Sequence, residues 1–345
     1  MSRPNMKANV KQLQDSVDAL DEPLRQSFQN MHGGYPEATL ERFLNARDED
    51  VSKASKMLIE SLNWRVNNGI DNILEKPILP KSKFNAIRQS HLIGFCGYCK
   101  QGRPVFAIGV GNSTFDQASI ESYVQSHIQI NEYRDRMILP EISTKKGRHV
   151  GSCVKILDMT GLRLSAFSRL KTSTAIATVD DLNYPEKTDT YYIVNAPYVF
   201  SACWKAVKPM LQERTKRKVQ VLRGNGQEEL LQVMDFDTLP WFCKTNGGSS
   251  KNDVFSPNHK FHVELYNFIE QKALSSGRTL NSLSNEGSLN IKVPSLDEQD
   301  PHSETCDVVH AIESVLPSLE ASQSTSEQNQ RDKITTKMAG IQVST

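Results

Sequence analysis

The chain has 345 residues, of which 38% are hydrophobic, and its 41 basic and 40 acidic residues leave a formal net charge of +1. This balance argues against a nucleic-acid-binding protein, because such domains carry a marked basic excess. There is no run of about 18 apolar residues and no N-terminal apolar stretch of the secretory type. We therefore expect a soluble, cytosolic protein whose six irregularly spaced cysteines are reduced.

The C-terminal part of the chain differs in composition from the rest. The last aromatic residue is Phe268, and residues 275–345 contain 19 Ser or Thr with ten acidic and five basic residues. This composition predicts a disordered tail over 275–345. The preceding 274 residues carry a net charge of +6, an excess that favours contact with anionic membranes.

The N-terminal region is predicted to be helical beyond its first segment. Residues 1–33 form an N-terminal segment to which no element is assigned. Apolar residues recur at helical spacing from Leu40 to Leu44, and a second helix extends to Gly69. Residues 34–80 are therefore predicted to form a small helical lobe.

Residues 88–250 are predicted to form an α/β domain. It begins with a hairpin whose turn is at Lys100–Gly102, followed by a helix over 117–138 that Pro140 ends. Strands at 153–159, 191–196 and 218–222 then alternate with helices at 165–182, 199–211 and 226–233. Such alternation predicts a mostly parallel sheet with crossover helices. A helical extension over 251–274 follows.

Motifs for catalysis or metal binding are weak. Gly109-Val110-Gly111 lacks the third glycine of a dinucleotide-binding loop. Cys96-x-x-Cys99 and His259-x-x-His262 are far apart in the sequence, and a structural zinc site requires four ligands at suitable spacing. No G-x-S-x-G motif or phosphatase-type cysteine loop is present. The sequence therefore predicts a protein that is not an enzyme and has no metal site.

The helix at 198–212 carries a broad apolar stripe. Its members follow one another at i, i+3, i+4, i+7, i+10 and i+11, and they are Phe200, Cys203, Trp204, Val207, Met210 and Leu211. Such a stripe is typical of a crossover helix that covers a sheet. It also suits a lid over an apolar cavity, and periodicity alone leaves both interpretations open.

A polar cluster is predicted at one edge of the sheet. The segment YPEK at 184–187 precedes one strand, and KRK at 216–218 begins another. Because parallel strands begin at the same edge, we expect these two segments to converge. The alternative is a solvated rim of charges.

Together these segments resemble the CRAL-TRIO family, and are most similar to its fungal and plant phosphatidylinositol transfer proteins. The resemblance rests on WR at 64–65, GRPVF at 102–106, YPEK at 184–187, YIVNAPYVFSACWKAVKPML at 192–211 and KV at 218–219. The segment HIQINEYRDRMILP is similar to plant-type members. The match covers residues 35–245 in order.

The resemblance implies a sheet that forms the floor of a lipid cavity, closed by the 198–212 helix as a mobile gate. It implies non-enzymatic binding and intermembrane transfer of phosphatidylinositol, with the phospholipid as ligand and no further cofactor. It also implies transient contact with anionic membranes, including the Golgi in vesicle trafficking, and a lipid kinase as a partner. A lipid-responsive adaptor for such a kinase and a carrier of sterol or tocopherol remain alternatives.

The resemblance also assigns residues to the ligand. Headgroup recognition is expected from Arg65, Glu186, Lys187 and Lys218. In members that also carry phosphatidylcholine, a Ser-x-Thr stands where this chain has Cys153 and Lys155. A lysine beside a cationic choline is unfavourable, so we expect the second ligand to be different or absent.

Overall fold

The computed structural model describes residues 3–163, 170–211, 213–245 and 253–277, with the single positions Ile291, His310, Ala311 and Ser314. Its N-terminal lobe consists of α1 (Arg3–Asp18), α2 (Glu22–His32), α3 (Pro36–Asn45) and α4 (Val51–Asn67). The tail predicted over 275–345 lies almost entirely outside the described residues. Ile291, one of the exceptions, is buried in a core cluster.

Residues 1–33, to which the sequence patterns assign no element, contain α1 and α2. Leu13, Val17 and Phe28 are buried with Leu40 and Phe43 in one apolar cluster. Since α1 and α2 are otherwise polar, their few apolar residues become a recognisable stripe only when α3 and α4 lie against them. The helical lobe therefore starts about 30 residues earlier than predicted.

A five-stranded sheet forms the centre of the second domain. After a 3-10 turn (Ile70–Glu75) and α5 (Lys81–Ser90), its strands are β1 (Ile93–Tyr98), β2 (Pro104–Gly109), β3 (Cys153–Asp158), β4 (Thr188–Val194) and β5 (Val219–Val221). They lie side by side in chain order. The β1–β2 pair is antiparallel and the other three pairs are parallel. The predicted α/β fold with a mostly parallel sheet is confirmed.

The crossover helices are α6 (Ile120–Tyr133), α7 (Leu139–Lys146), α8 (Leu170–Asn183), α9 (Tyr198–Val207), α10 (Glu213–Lys218) and α11 (Gln227–Val233). The prediction that Pro140 ends the first of them is wrong. A π-helical turn (Arg134–Ile138) joins α6 to α7, and Pro140 lies in the first turn of α7, where a missing N–H is tolerated. The start of the helix predicted at 165–182 lies outside the described residues.

The two faces of the sheet have different surroundings. On one face, Val105, Val154 and Val194 are buried in a cluster with Leu230 of α11. On the other, Phe106, Lys155 and Tyr191 are paired across β2, β3 and β4 and lie on the side of α6 and α8. α12 (Lys260–Ser275) also adds apolar residues to this second side. A buried lysine in this row distinguishes the second face from an ordinary apolar core.

The packing of α1 makes a testable prediction. Leu13→Ala should lower the free energy of unfolding by about 2–5 kcal/mol, because it removes a fully buried side chain from the lobe. Lys11→Ala, an exposed change on the same helix, should leave it nearly unchanged. Urea unfolding measures both variants, and equal stabilities would show that α1 does not pack on the lobe.

Candidate functional site

A small polar cleft, with a cavity volume of about 10 Å³, lies where the helical lobe meets the start of β4. Its lining contains four cationic side chains and two carboxylates: Arg42, Arg65, Arg136 and Lys187 with Glu132 and Asp135. A neighbouring cleft, with a cavity volume of about 20 Å³, shares Met31, Arg42, Asp135 and Lys187 with the first. The wall between the two clefts thus contains two cations, one carboxylate and a methionine.

Arg65 is the most deeply buried of these groups, with 1% of its surface exposed. Its Nη1 lies 2.7 Å from Glu132 Oε1, and its Nη2 lies 2.7 Å from Asp71 Oδ1. The Tyr184 hydroxyl donates a second hydrogen bond to Glu132 Oε1, at 2.7 Å. Arg65 is therefore held by two carboxylates and joins α4 to α6.

The carboxylates of the cleft stay ionised although they are buried. Burial alone would raise the pKa of Glu132, but Arg65 and Arg136 outweigh it and hold the pKa at about 2. Asp135 is shared between Arg134 Nε at 2.7 Å and Lys187 Nζ at 3.0 Å, and these charges hold its pKa well below the usual range despite burial. Both groups therefore carry a negative charge at neutral pH.

Lys187 and Arg42 are less well compensated. Burial and the neighbouring Arg42 lower the pKa of Lys187 to about 8. Asp135 does not fully offset this effect, because its charge is also paired with Arg134. The Arg42 guanidinium donates to the Pro185 carbonyl at 2.9 Å, and burial lowers its pKa to about 10. The sequence patterns gave no sign of Arg42, because it occupies an ordinary position in α3.

The segments 184–187 and 216–218 converge as the strand positions predict. Lys218 Nζ lies 2.6 Å from Glu186 Oε2, and Arg214 Nε lies 3.6 Å from Glu186 Oε1. Glu186 has a φ of 59°, a left-handed conformation that is unfavourable for a residue other than glycine. Lys218 is the last residue of α10 and not the start of a strand, because β5 begins at Val219.

The four predicted headgroup residues therefore form two groups. Arg65 and Lys187 line the first cleft, whereas Glu186 and Lys218 belong to the lining of neither cleft described above. Glu186 precedes Lys187 directly, so the two groups adjoin along the chain. Arg42, Glu132 and Asp135 are additional members that only the tertiary structure identifies.

The predicted 198–212 helix is shorter than expected. α9 ends at Val207 and a 3-10 turn (Lys208–Met210) follows, because Pro209 cannot continue an α-helix. Phe200, Cys203 and Val207 are buried, and the Phe200 ring stacks on Trp204 at 5.9 Å between centroids. This part of the stripe packs on the carboxyl-terminal part of β4.

The last two members of the predicted stripe behave differently. Met210 is 48% exposed and Leu211 is half-buried. The change from α to 3-10 geometry shifts the angular spacing of side chains, so Met210 leaves the apolar face. Residue 212, the predicted end of the helix, lies outside the described residues.

Cys153 and Lys155 are both buried on the face of the sheet towards α6 and α8. Lys155 Nζ lies 3.3 Å from Asp180 Oδ2, and His127 Nε2 lies 2.8 Å from Asp180 Oδ1. Cys153 Sγ lies 3.3 Å from the Lys187 carbonyl oxygen. A buried ion pair thus stands at the position considered for a second ligand.

The two sequence motifs considered for metal binding lie in ordinary elements of the fold. Cys96 and Cys99 belong to the β1–β2 hairpin, and His262 Nε2 lies 3.3 Å from the Val254 carbonyl oxygen. Within the described ranges, no three His, Cys, Asp or Glu side chains are grouped as metal ligands would be. None of the helices described above is long and apolar enough to cross a membrane.

The buried charges of the cleft predict how stability responds to Glu132→Gln. The substitution should lower the free energy of unfolding by about 3 kcal/mol, since Arg65 loses one of its two charged partners. Glu141→Gln, which changes an exposed carboxylate in the first turn of α7, should lower the free energy of unfolding by less than about 1 kcal/mol. Equal stability of the two variants would contradict this role of Glu132.

The same interaction has a pH dependence of known sign. Because the pKa of Glu132 falls from 4.5 to about 2 on folding, its contribution is present above pH 4.5 and is lost as pH falls towards 2. Between pH 6 and pH 2 the free energy of unfolding should therefore decrease less for Glu132→Gln than for the unmodified protein. Unfolding curves recorded at each pH measure this difference.

Comparisons with known proteins agree with this architecture. The CRAL/TRIO domain profile matches residues 88–244. A phosphatidylinositol/phosphatidylcholine transfer protein of Arabidopsis thaliana, SFH11, is 30% identical over 295 residues, which cover 79% of this chain and 77% of that protein. The corresponding SFH12 protein is 30% identical over 246 residues, covering 68% of this chain and 44% of its own length.

A fungal relative and a solved structure extend the comparison. The SEC14 cytosolic factor of Eremothecium gossypii is 31% identical over 215 residues, covering 59% of this chain and 67% of that protein. The crystal structure of Sfh5 has the same fold, with a TM-score of 0.55 and 17% identity over 80% of this chain and 99% of its own. The two plant relatives are named as transfer proteins, in agreement with the prediction of a non-enzymatic protein. The chain belongs to the CRAL-TRIO family of phosphatidylinositol-transfer-type proteins.

Proposed function

We propose that this protein binds one phosphatidylinositol molecule and transfers it between membranes without chemical change. The observation that carries the proposal is the first cleft, where Arg42, Arg65 and Lys187 meet at the start of β4 with more cations than carboxylates. A buried phosphodiester requires such donors, because an unpaired anion is costly to remove from water. The names of the plant relatives support the same ligand class.

Different cations have different parts in this proposal. Arg42 and Lys187 are the phosphate ligands, because among the described residues Arg42 has no carboxylate within 4 Å and Lys187 shares its only one. Arg65 is already paired with two carboxylates, so we assign it the role of positioning Glu132 and the cleft wall. An Arg65→Ala variant would therefore disturb the fold as well as the ligand.

Glu186 and Lys218 are assigned to the inositol ring. A carboxylate accepts hydrogen bonds from hydroxyl groups, and an ammonium group donates them. The 2.6 Å ion pair between the two side chains holds both in place beside Lys187. Inositol hydroxyls would form hydrogen bonds with both side chains. Each charge would then have a partner both before and after binding.

The length of β4 suits an acyl chain lying along the sheet. Lys187 precedes the strand and Pro197 and Tyr198 follow it, and seven residues at about 3.3 Å each span ~23 Å. One leaflet of a bilayer has about 15 Å of hydrocarbon. The headgroup and the start of α9 are thus separated by a distance suited to one phospholipid.

The helix α9 is the proposed gate. Two acyl chains of about 16 carbons in water would cost tens of kcal/mol at ~0.8 kcal/mol per methylene, so the carrier must open only at a membrane. Tyr198 at the start of α9 is 82% exposed, and Lys205 and Lys208 near its end are also exposed. These side chains can contact an anionic bilayer while Phe200 and Trp204 face inward.

Phosphatidylinositol is the only lipid in the proposal. The relatives are named for phosphatidylcholine as well, but the ion pair of Lys155 and Asp180 occupies the position considered for the choline lipid. A cationic choline would meet the ammonium of Lys155 there. Two further expectations, transient contact with the Golgi and a lipid kinase as partner, are supported by the family resemblance alone.

Lys218 provides the sharpest test of the headgroup assignment. Lys218→Gln should reduce phosphatidylinositol transfer between vesicles at least tenfold, because it removes a charge that contacts Glu186 directly. Lys216→Gln is the matched control on the same helix, since Lys216 pairs only with the exposed Glu213 among the described residues. Unchanged transfer by Lys218→Gln would refute the assignment.

Lys187 predicts a pH dependence of loading. Its pKa of about 8 means that the side chain becomes neutral as pH rises through 8, so uptake of phosphatidylinositol by ligand-free protein should fall between pH 7 and pH 9.5. Lys187→Arg keeps its charge over this range and should remove the decline. Initial uptake rates from labelled vesicles measure both proteins, and identical pH profiles would contradict the role of Lys187.

A further inference from the structure

Arg88 is a buried cation without a counter-charge. It lies near the end of α5 and is 0% exposed. Its Nη2 donates a hydrogen bond to Ser126 Oγ at 2.6 Å, whereas its Nε and Nη1 have no partner. In the part of the chain that the structure describes, no carboxylate lies within 4 Å of the guanidinium. Arg65, by comparison, is equally buried but is paired with two carboxylates.

This arrangement is energetically unfavourable for the empty protein. An unpaired charge in an apolar interior costs several kcal/mol even after relaxation. Burial lowers the pKa of Arg88 to about 9, so the group remains charged at neutral pH. The fold thus keeps an uncompensated positive charge that a bound anion would neutralise.

The surroundings of Arg88 combine aromatic walls with a second orphan group. The guanidinium carbon lies 6.0 Å from the ring centroid of Phe84, and the ring of the buried His91 lies 4.9 Å from that of Phe115, centroid to centroid, in a tilted arrangement. His91 Nδ1 has no hydrogen-bond partner. The Tyr123 hydroxyl contacts Ser90 Oγ and accepts a hydrogen bond from the Gln117 amide, and it carries no negative charge at neutral pH.

We propose that Arg88, assisted by His91, binds the anionic group of a lipid whose hydrocarbon part lies against the neighbouring aromatic side chains. Arg88 lines neither of the two polar clefts, so this site is separate from that of the phosphatidylinositol headgroup.

The chemistry of the site defines the ligand class. One uncompensated positive charge matches one negative charge, so the group is a monoanion. Buried apolar walls favour an anion attached to a hydrocarbon, since each methylene removed from water strengthens binding, whereas a free inorganic anion gains nothing from them. A fatty-acid carboxylate and the phosphodiester of an anionic phospholipid both meet these conditions.

Binding of oleate and of phosphatidylglycerol to the full-length, delipidated protein distinguishes the two sources. We expect saturable binding of one of them at one molecule per chain, and at least tenfold weaker binding by Arg88→Met. Arg148→Met is the matched control, because Arg148 is an exposed arginine whose Nη2 donates to the Gln101 carbonyl. Methyl oleate, which lacks the charge, should bind equally to the unmodified protein and to Arg88→Met.

The stability of the variant separates a ligand-binding role from a structural one. Ligand-free Arg88→Met should unfold at the same temperature as the unmodified protein or higher, because an apolar side chain replaces an unpaired charge. A structural role predicts a lower unfolding temperature. Where the Met variant fails to fold, Arg88→Lys, which keeps the charge, should retain anionic lipid.

The proposal is overturned if the unmodified protein binds neither oleate nor phosphatidylglycerol, or if Arg88→Met binds them as tightly as the unmodified protein does. Phosphatidylinositol transfer by Arg88→Met should be unchanged. Loss of transfer by Lys218→Gln together with unchanged oleate binding would separate the two sites experimentally.

Discussion

The buried ion pair between Arg65 and Glu132 is the interaction on which the arrangement of the site depends. It joins α4 of the helical lobe to α6 of the α/β domain, and Tyr184 adds a hydrogen bond from the start of the YPEK segment. Because a half-broken buried pair is costly, the lobe and the sheet edge are held in one relative position. Lys187 and Arg42 reach the same cleft from opposite sides only as long as that position is kept.

Charge compensation is distributed unevenly through the interior. Arg65 and Arg134 have close carboxylates, Lys187 shares one, and Arg88 has none among the described residues. Since desolvation penalises every buried charge, the degree of compensation separates cations that hold the fold from cations that lack a counter-charge of their own. This distinction assigns Arg65 to the structure and leaves Lys187 and Arg88 available for anionic groups.

The sheet connects these charges with the apolar helix α9. Its strand β4 begins at the polar cleft and ends at the turn into α9, where Phe200 packs against Ile193 and Met159. A single strand therefore separates a charged end from an apolar end. An amphipathic ligand with a charged head and long chains fits this polarity better than a compact polar substrate does.

Much of this organisation follows from local sequence patterns. The alternation of strands and helices gave the parallel sheet, since the spacing of apolar residues reflects local burial. The convergence of the segments 184–187 and 216–218 was expected from the rule that parallel strands begin at one edge, whereas the specific pair of Glu186 with Lys218 was not. The apolar stripe of α9 was also visible, although Pro209 shortened the helix and placed Met210 outside it.

Other features depended on contacts between residues far apart in the chain. The helices α1 and α2 have too few apolar residues to be recognised before α3 and α4 cover them. Likewise, sequence cannot tell a compensated buried arginine from an uncompensated one, because Glu132 is 67 residues from Arg65. The sequence by itself determined the order of the elements and the types of residue at the site. Only the tertiary structure decided which charges are paired, because pairing depends on distances in space and on removal from water.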